Sequence, residues 1–123
     1  MSLSGIHPAL YERMRYLAWS ARRQALPYEV TSTYRSITKQ RQLYNDWVKR
    51  GYTGLPAARP GCSLHNYGLA VDMVPYEPGR LDELIGIAAE SGLIWAGLDD
   101  PVHFGVLSAA AWRQWLGSWE SGC

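Results

Sequence analysis

The chain has 123 residues, of which 47% are hydrophobic and 19% charged, and its formal net charge is +1. This length and apolar content fit one domain with one hydrophobic core, and no segment approaches the uninterrupted apolar length of a membrane-spanning helix. The charge is uneven, because residues 1–60 carry a net +7 and residues 61–123 a net −6. No basic residues cluster with the aromatic platforms that single-stranded nucleic acid needs, so we expect the two halves to pack together and no nucleic-acid partner.

The amino terminus lacks the features of a secretion signal, because Glu12 and Arg15 stand where the apolar stretch of a signal would lie. Residues 1–3 are a candidate leader, so the sequence leaves the localisation and the export route open. We interpret residues 1–123 as one domain and residues 107–123 as its carboxyl-terminal helical part.

Apolar periodicity and turn-forming residues predict four helices and four short strands. Apolar residues at helical spacing mark the helices, which start at proline or a hydroxyl residue and end at glycine or proline, whereas β-branched and aromatic runs mark the strands. Their alternation predicts a compact α+β domain with a small, mainly antiparallel sheet flanked by helices. In chain order we predict helix Pro8–Ala25, strand Tyr28–Tyr34, a helix from Ser36 or Thr38 to Arg50, an exposed loop over 51–62, strand Leu69–Val74, helix Leu81–Glu90, strands Leu93–Trp95 and Val102–Val106, and helix Ser108–Leu116.

Two segments, Ser63–Asp72 and Asp99–Phe104, hold two of the three histidines, with carboxylates beside both. Asp72 lies inside an apolar strand, where burial of its charge is costly unless a salt bridge, a loop amide or a metal ion compensates it. Two imidazoles and one carboxylate are a common ligand set for catalytic zinc, and a further carboxylate nearby would be the general base. A single loop histidine such as His65 is most often only a partly exposed residue. Taken together, the two segments predict a zinc hydrolase.

Five residues match the pattern Ser-x-His-x-x-Gly-x-Ala-x-Asp: Ser63, His65, Gly68, Ala70 and Asp72. By this pattern the chain resembles the D-Ala-D-Ala/L-Ala-D-Glu peptidases, which belong to the zinc superfamily that includes lysostaphin-like enzymes and the hedgehog amino-terminal domain. The upstream segment Thr31–Ser36 is similar to the family's Ser-Gly-Tyr-Arg-Ser, and Asp100–Phe104 is similar to its closing Asp-x-x-His-Phe. The resemblance covers roughly residues 8 to 106.

The resemblance implies a role for each matched residue. The zinc ligands it implies are His65, Asp72 and His103. The acid three residues before the last histidine is the family's base, which implies Asp100. Arg35 stands at the family's substrate-contacting arginine, where a guanidinium can stabilise an oxyanion or grip a substrate carboxylate. Gln40 and Ser63 are candidate substrate contacts that could equally cap local backbone.

Asp99 competes with Asp100 for the role of base. If this segment were a regular strand, alternation would place Asp99 on the same face as His103. Pro101 makes regular strand pairing improbable there, and the resemblance favours Asp100.

The closing segment Ile94–Asp100 resembles that of the L-alanyl-D-glutamate endopeptidases of phage lysins and bacterial autolysins. It is shorter, lacks the second glycine and second tryptophan of that group, and Thr33 replaces the usual glycine upstream. We therefore expect a monomeric peptidase of peptidoglycan stem peptides, with L-alanyl-D-glutamate endopeptidase ahead of D-alanyl-D-alanine carboxypeptidase. A catalytically silent zinc module is the third alternative. The source, whether a phage lysin, a tail-associated protein or an exported bacterial enzyme, stays open.

Cys62 raises an alternative chemistry, in which its thiol would be a nucleophile with His65 or His103 as base. That mechanism leaves Asp72 unexplained, and a free cysteine is more often a small buried residue. Cys62 and Cys123 are too few for a disulfide framework, so the redox compartment is undecided.

Three tryptophans at helical spacing, Trp112, Trp115 and Trp119, mark the last helix. This pattern favours docking on the core over a glycan-binding platform. We expect His7, beside Pro8, to be a solvated residue near the chain start.

Overall fold

The computed structural model describes residues 5–117 and Cys123, within which it contains four helices and four strands. These elements are α1 (Pro8–Arg23), β1 (Tyr28–Ser32), α2 (Ile37–Lys49), β2 (Ala70–Pro75), α3 (Leu81–Glu90), β3 (Ile94–Trp95), β4 (His103–Gly105) and α4 (Ala109–Gly117). Two 3₁₀ turns, Leu64–Tyr67 and Pro78–Arg80, come before β2 and α3 and were not predicted. The ends of the predicted helices and strands differ from those observed by no more than two residues.

Local backbone chemistry explains where the first two helices end. α1 stops two residues earlier than predicted because Ala25 adopts a left-handed conformation (φ 49°), and the Leu26 N–H donates to the Ala21 carbonyl at 2.9 Å. The Ser36 hydroxyl accepts from the Lys39 N–H at 3.0 Å and caps α2, and Gly51, at φ 68°, follows its last turn.

The four strands form one antiparallel sheet in the order β1-β2-β4-β3, which confirms the predicted α+β class. β2 is central and pairs with β1 on one side and with β4 on the other. The register places Asp72 opposite His103 on β4 and opposite Ser32 at the end of β1. The β1–β2 register shifts between Val30 and Ser32, and β1 ends there instead of continuing to Tyr34.

Strand alternation gives the sheet one apolar face and one face that carries the polar residues of interest. Val71, Met73 and Phe104 are almost fully buried in the main core, which α1 and α3 also line. Since neighbouring residues of a strand point to opposite faces, Asp72 and His103 project from the other face. The remaining buried residues of the main core are Leu10, Leu17, Ala21, Leu26, Leu84, Ile87, Ala88 and Leu93.

α4 packs beside the polar residues through a second apolar cluster. Trp112 is buried against Leu64 and Ala70, as the core-docking interpretation predicts. Trp115 stacks on Trp112 at 5.1 Å between ring centroids and is 43% exposed, so it belongs only partly to this cluster. Trp119 lies outside the described residues.

Gly68 joins the 3₁₀ turn to β2 and brings two backbone segments together. It adopts φ 69°, and its carbonyl accepts from the His7 N–H at 3.0 Å. A Cβ at this position would meet the Gly5 carbonyl oxygen and lie 2.7 Å from the His7 nitrogen, so only glycine fits. His7 is exposed as expected, but its Nδ1 also accepts from the Ala9 N–H at 3.0 Å and caps α1.

Among the described residues, no helix is long and apolar enough to cross a membrane.

Candidate active site

The central side chains of the candidate site come from neighbouring strands. Asp72 of β2 and His103 of β4 are register partners on the polar face of the sheet. Asp72 Oδ1 and His103 Nδ1 lie 3.4 Å apart. The pairing of β2 with β4 therefore fixes two of the three predicted metal ligands side by side.

The third predicted ligand, His65, comes from the 3₁₀ turn before β2. The Ser63 hydroxyl accepts from the His65 N–H at 3.2 Å, and Ser63 and Asn66 together form a capping box that holds this turn. The His65 side chain is 3% exposed, and its Nε2 lies 3.0 Å from Asp72 Oδ1. The turn thus places a buried imidazole beside the Asp72 carboxylate.

A backbone carbonyl determines which nitrogen of His65 is available for a metal. His65 Nδ1 lies 2.6 Å from the Thr33 carbonyl oxygen, which can only accept, so Nδ1 carries the proton. In the neutral ring this leaves a lone pair on Nε2, directed at an Asp72 carboxylate oxygen. Two lone pairs at this separation repel each other unless a cation, a proton or a metal ion, lies between or beside them. A carbonyl that orients the ring in this way is a common partner of metal-binding histidines.

The ligand atoms of His65, Asp72 and His103 all lie within 4.8 Å of one another. Two imidazole nitrogens and one carboxylate oxygen match the donor set of a catalytic zinc site with one open position. The residues present therefore fit the predicted ion.

Asp72 is ionised in this environment. Burial raises the pKa of its carboxyl, but the neighbouring imidazoles of His103 and His65, when protonated, outweigh that effect and hold the pKa well below its usual range. The site therefore presents a fixed negative charge to a cation.

Arg35 lies just after β1, and both its guanidinium and its backbone N–H form hydrogen bonds. Its Nη2 lies 3.7 Å from Asp72 Oδ2 and donates to the Ser32 hydroxyl at 3.3 Å, and its Nη1 donates to Gln40 Oε1 at 3.1 Å. Its backbone N–H donates to the His65 carbonyl at 2.9 Å. These contacts place the guanidinium beside the ligand set with a defined orientation.

Gln40 and Ser63 have local partners in the structure, although both line the cleft. Gln40 is 1% exposed, and besides accepting from Arg35 it donates from Nε2 to the Ala58 carbonyl at 2.9 Å. Its amide therefore positions Arg35 and ties the loop after α2 to the helix. The Ser63 hydroxyl caps the 3₁₀ turn and retains its proton for a further bond. Direct substrate contact by either residue remains a prediction.

Asp100 lies on the turn between β3 and β4. Its N–H donates to the Gly97 carbonyl at 3.2 Å, and its own carbonyl accepts from the His103 N–H at 3.0 Å. This turn brings Asp100 Oδ2 to 3.9 Å from His103 Nδ1. Burial raises the pKa of Asp100, and the charge of His103 opposes that shift only in part.

Asp99 also lines the cleft, but it is exposed and forms no ion pair with another described residue. Residues 99–102 form a turn, and β4 begins only at His103. Strand alternation therefore does not apply to this segment and gives no reason to prefer Asp99 over Asp100.

These side chains line a cleft of about 820 Å³. Its walls come from α2, the loop after it, β3, the β3–β4 turn and the first turn of α4. Residues from each wall are Leu43, Ala58, Trp95, Val102 and Trp112. Such a cleft has room for several residues of an extended peptide beside the ligand set.

Cys62 forms a disulfide with Cys123, with a Cα–Cα distance of 5.8 Å. The alternative in which Cys62 is a nucleophilic thiol is therefore wrong for this structure, because the sulfur is already bonded. The sequence analysis considered two cysteines too few for a disulfide framework, and this single disulfide was not predicted. The Trp112 indole N–H donates to the Cys62 carbonyl at 2.8 Å, so the same residue is tied to α4.

Replacing Cys62 with serine should lower stability but leave hydrolysis largely intact. Loss of a native disulfide commonly costs about 2–4 kcal/mol, so we expect a clear fall in Tm. Cys123→Ser is the matched control, because it breaks the same bond and leaves the Cys62 thiol in place. Thermal unfolding and wall-hydrolysis assays of both variants check this. Activity lost in Cys62→Ser but kept in Cys123→Ser would restore the thiol mechanism.

Two groups of this site were not found by sequence reasoning. The Thr33 carbonyl orients His65, and a backbone atom leaves no side-chain signal. Asn66 donates from Nδ2 to the Arg35 carbonyl at 2.9 Å, and its Oδ1 accepts from the Gly61 N–H at 3.1 Å. Its position three residues after Ser63 is a capping-box spacing and could have drawn attention to it.

Comparison with known proteins agrees with this geometry. The VanY family model, described as D-alanyl-D-alanine carboxypeptidase, matches residues 4–93. The chain is also similar to the peptidoglycan L-alanyl-D-glutamate endopeptidase CwlK of Bacillus subtilis (strain 168), with 32% identity over 76% of this chain and 66% of CwlK. It thus spans just under two thirds of the length of that relative.

Solved structures share the fold. The vancomycin resistance D,D-pentapeptidase VanY, crystallised in complex with Zn(II), has a TM-score of 0.70 and 22% identity over 93% of this chain and 81% of its own. VanYB has also been solved in complex with D-alanine-D-alanine. The Serratia marcescens L-Ala D-Glu endopeptidase ChiX has a TM-score of 0.57 and 26% identity over 90% and 84%. The comparisons confirm the predicted resemblance to the D-Ala-D-Ala/L-Ala-D-Glu peptidases.

Proposed function

We propose that this chain, which belongs to the VanY family of D-alanyl-D-alanine carboxypeptidases, is a zinc-dependent peptidase that hydrolyses a bond in peptidoglycan stem peptides. The observation that carries the proposal is the convergence of His65, Asp72 and His103, with their ligand atoms within 4.8 Å, in a peptide-sized cleft. Asp100 and Arg35 lie beside that ligand set.

The ion would be held by His65, Asp72 and His103. Zinc bound there would supply a Lewis acid that polarises a carbonyl and would lower the pKa of a water molecule to about 7. Asp72 contributes the negative charge of the ligand set. The Thr33 carbonyl keeps the lone pair of His65 Nε2 directed at the Asp72 carboxylate.

Two side chains would move or stabilise charge during the reaction. Asp100, with its raised pKa, accepts the proton of the attacking water and then delivers it to the leaving amine. Arg35 donates to the oxyanion that forms on the scissile carbonyl. Gln40 and Ser32 hold the guanidinium in place, so its orientation is set before the substrate arrives.

For the bond that is cut, we favour L-alanyl-D-glutamate, with D-alanyl-D-alanine as the alternative. The similarity to CwlK and ChiX supports the first, and the family model and the likeness to VanY support the second. Ile94 and Trp95 line the cleft and come from the closing segment that resembles the endopeptidases.

Digestion of purified sacculi followed by mass spectrometry of the products tests this proposal. We expect the zinc-loaded protein to release peptides that begin with D-glutamate and to leave L-alanine on the glycan. Release of free D-alanine alone would identify the carboxypeptidase. Binding to sacculi with no product released would favour the silent zinc module.

We also propose that the protein acts as a monomer on the cell wall. The Cys62–Cys123 disulfide supports this location, because disulfides persist in oxidising compartments outside the cytoplasm. Sedimentation velocity of the zinc-loaded protein checks the oligomeric state.

A further inference from the structure

The cleft extends well beyond the ligand set along one face of α2. Four residues of this helix and its cap line the cleft, at spacings of three, three and four: Gln40, Leu43, Asp46 and Arg50. Residues at these spacings share one face of a helix. The face runs from Gln40, which is 1% exposed and bound to Arg35, to Arg50, which is exposed at the other end.

The length of this face suits an extended peptide. Gln40 and Arg50 are ten residues apart, which corresponds to about 15 Å along the helix axis. An extended chain advances at most about 3.3–3.6 Å per residue, so roughly four residues would span this distance. Gln40 contacts Arg35, which lies 3.7 Å from the Asp72 carboxylate, so Arg50 lies several peptide residues from a scissile bond at the ligand set.

Arg50 is a cation without a carboxylate partner among residues 5–117 and Cys123. Its Nε donates to the Thr53 carbonyl at 3.4 Å, and no hydrogen bond or ion pair to those residues involves its two terminal nitrogens. Arg35, the other arginine that lines the cleft, already lies 3.7 Å from the Asp72 carboxylate. A planar guanidinium with both outer nitrogens available is suited to bidentate binding of a carboxylate.

Asp46 defines where along the face such a carboxylate can bind. It lies between Leu43 and Arg50 and forms no ion pair with Arg50 or any other residue in the described part of the chain. Its negative charge disfavours a substrate carboxylate beside Asp46 itself, so on this face the guanidinium of Arg50 is the favourable contact for a carboxylate.

We propose that Arg50 forms a remote subsite that binds a carboxylate of the peptide substrate several residues from the scissile bond. This inference rests on the proposed function, since it takes the ligand set as the place of cleavage. Arg50 would be a specificity residue that contributes to substrate binding and not to the chemical step.

The test uses synthetic five-residue stem peptides in which each carboxylate in turn is replaced by a carboxamide. KM and kcat are measured with the zinc-loaded enzyme, and Kd with the zinc-loaded Asp100→Asn variant. We expect amidation of one particular carboxylate to raise KM and Kd about 5- to 10-fold, with kcat unchanged. In Arg50→Gln this difference between the free and the amidated peptide should disappear.

Lys49→Gln is the matched control, because it removes the same charge from the adjacent residue, which does not line the cleft. It should keep the wild-type preference for the free carboxylate. The proposal is overturned if Arg50→Gln keeps that preference as well, or if no single amidation changes KM or Kd in the wild type. If the preference in Kd depends on Arg50 but no peptide is cut, the subsite stands and the proposed function fails.

Discussion

Replacing His103 with alanine should abolish zinc binding and peptide hydrolysis together. The variant keeps two of the three proposed ligands, and we expect zinc affinity to fall by more than about 100-fold, the upper end of what loss of a mere ligand-orienting partner costs. Lewis-acid catalysis is worth several kcal/mol, so hydrolysis should fall by at least about 10³-fold. Zinc content by elemental analysis, zinc affinity by titration and product release from sacculi measure the three quantities.

The remaining histidine provides the control. His7→Ala removes a helix cap far from the ligand set in sequence, so it should cost about 1 kcal/mol of stability and leave zinc content unchanged. His103 lies on the polar face of the sheet and is 19% exposed, so its replacement should keep the far-UV circular dichroism of the wild type. One tightly bound zinc ion per chain in His103→Ala would show that the ligand set is wrong.

The sequence predicted that His65, Asp72 and His103 come together because the features that place them are local. Asp72 stands between apolar residues of a strand, so alternation alone places its side chain opposite the core. The match of residues 63–72 and 100–104 to the family pattern supplied the rest. The same local signals placed α1 to α4 and β1 to β4 within two residues of their observed ends.

Contacts between segments distant in sequence could not be predicted from local patterns. Periodicity cannot show that the Thr33 carbonyl orients His65, or that Gln40 bridges Arg35 and the Ala58 carbonyl. Two cysteines 61 residues apart carry no spacing signal, so the link between Cys62 and Cys123 needed the tertiary structure.

Strand alternation could not decide between Asp99 and Asp100. Alternation applies only if residue 99 belongs to a strand, but the chain turns there and β4 begins at His103. In the turn, residues three apart come to the same side, and Asp100 approaches His103 while Asp99 faces solvent. Geometry and resemblance thus support the same carboxylate.

Replacing Asp100 with asparagine should leave zinc bound and sharply reduce turnover. The amide keeps the size of the side chain but cannot accept the proton of the attacking water. General acid–base catalysis contributes about 10²–10⁴-fold, so kcat should fall by that factor or more while zinc content stays at the wild-type level. The measurement is kcat for product release from sacculi, with zinc content determined on the same preparation.

Asp99→Asn is the matched control, because it makes the same chemical change one residue away in the same turn. Its carboxylate is exposed and acts on the site only through solvent, which screens its charge, so kcat should change by less than about 3-fold. If Asp99→Asn is the inactive variant and Asp100→Asn turns over normally, the base assignment is wrong. If both variants bind zinc and release product at the wild-type rate, neither carboxylate is the base, and the proton must leave through a group outside this turn.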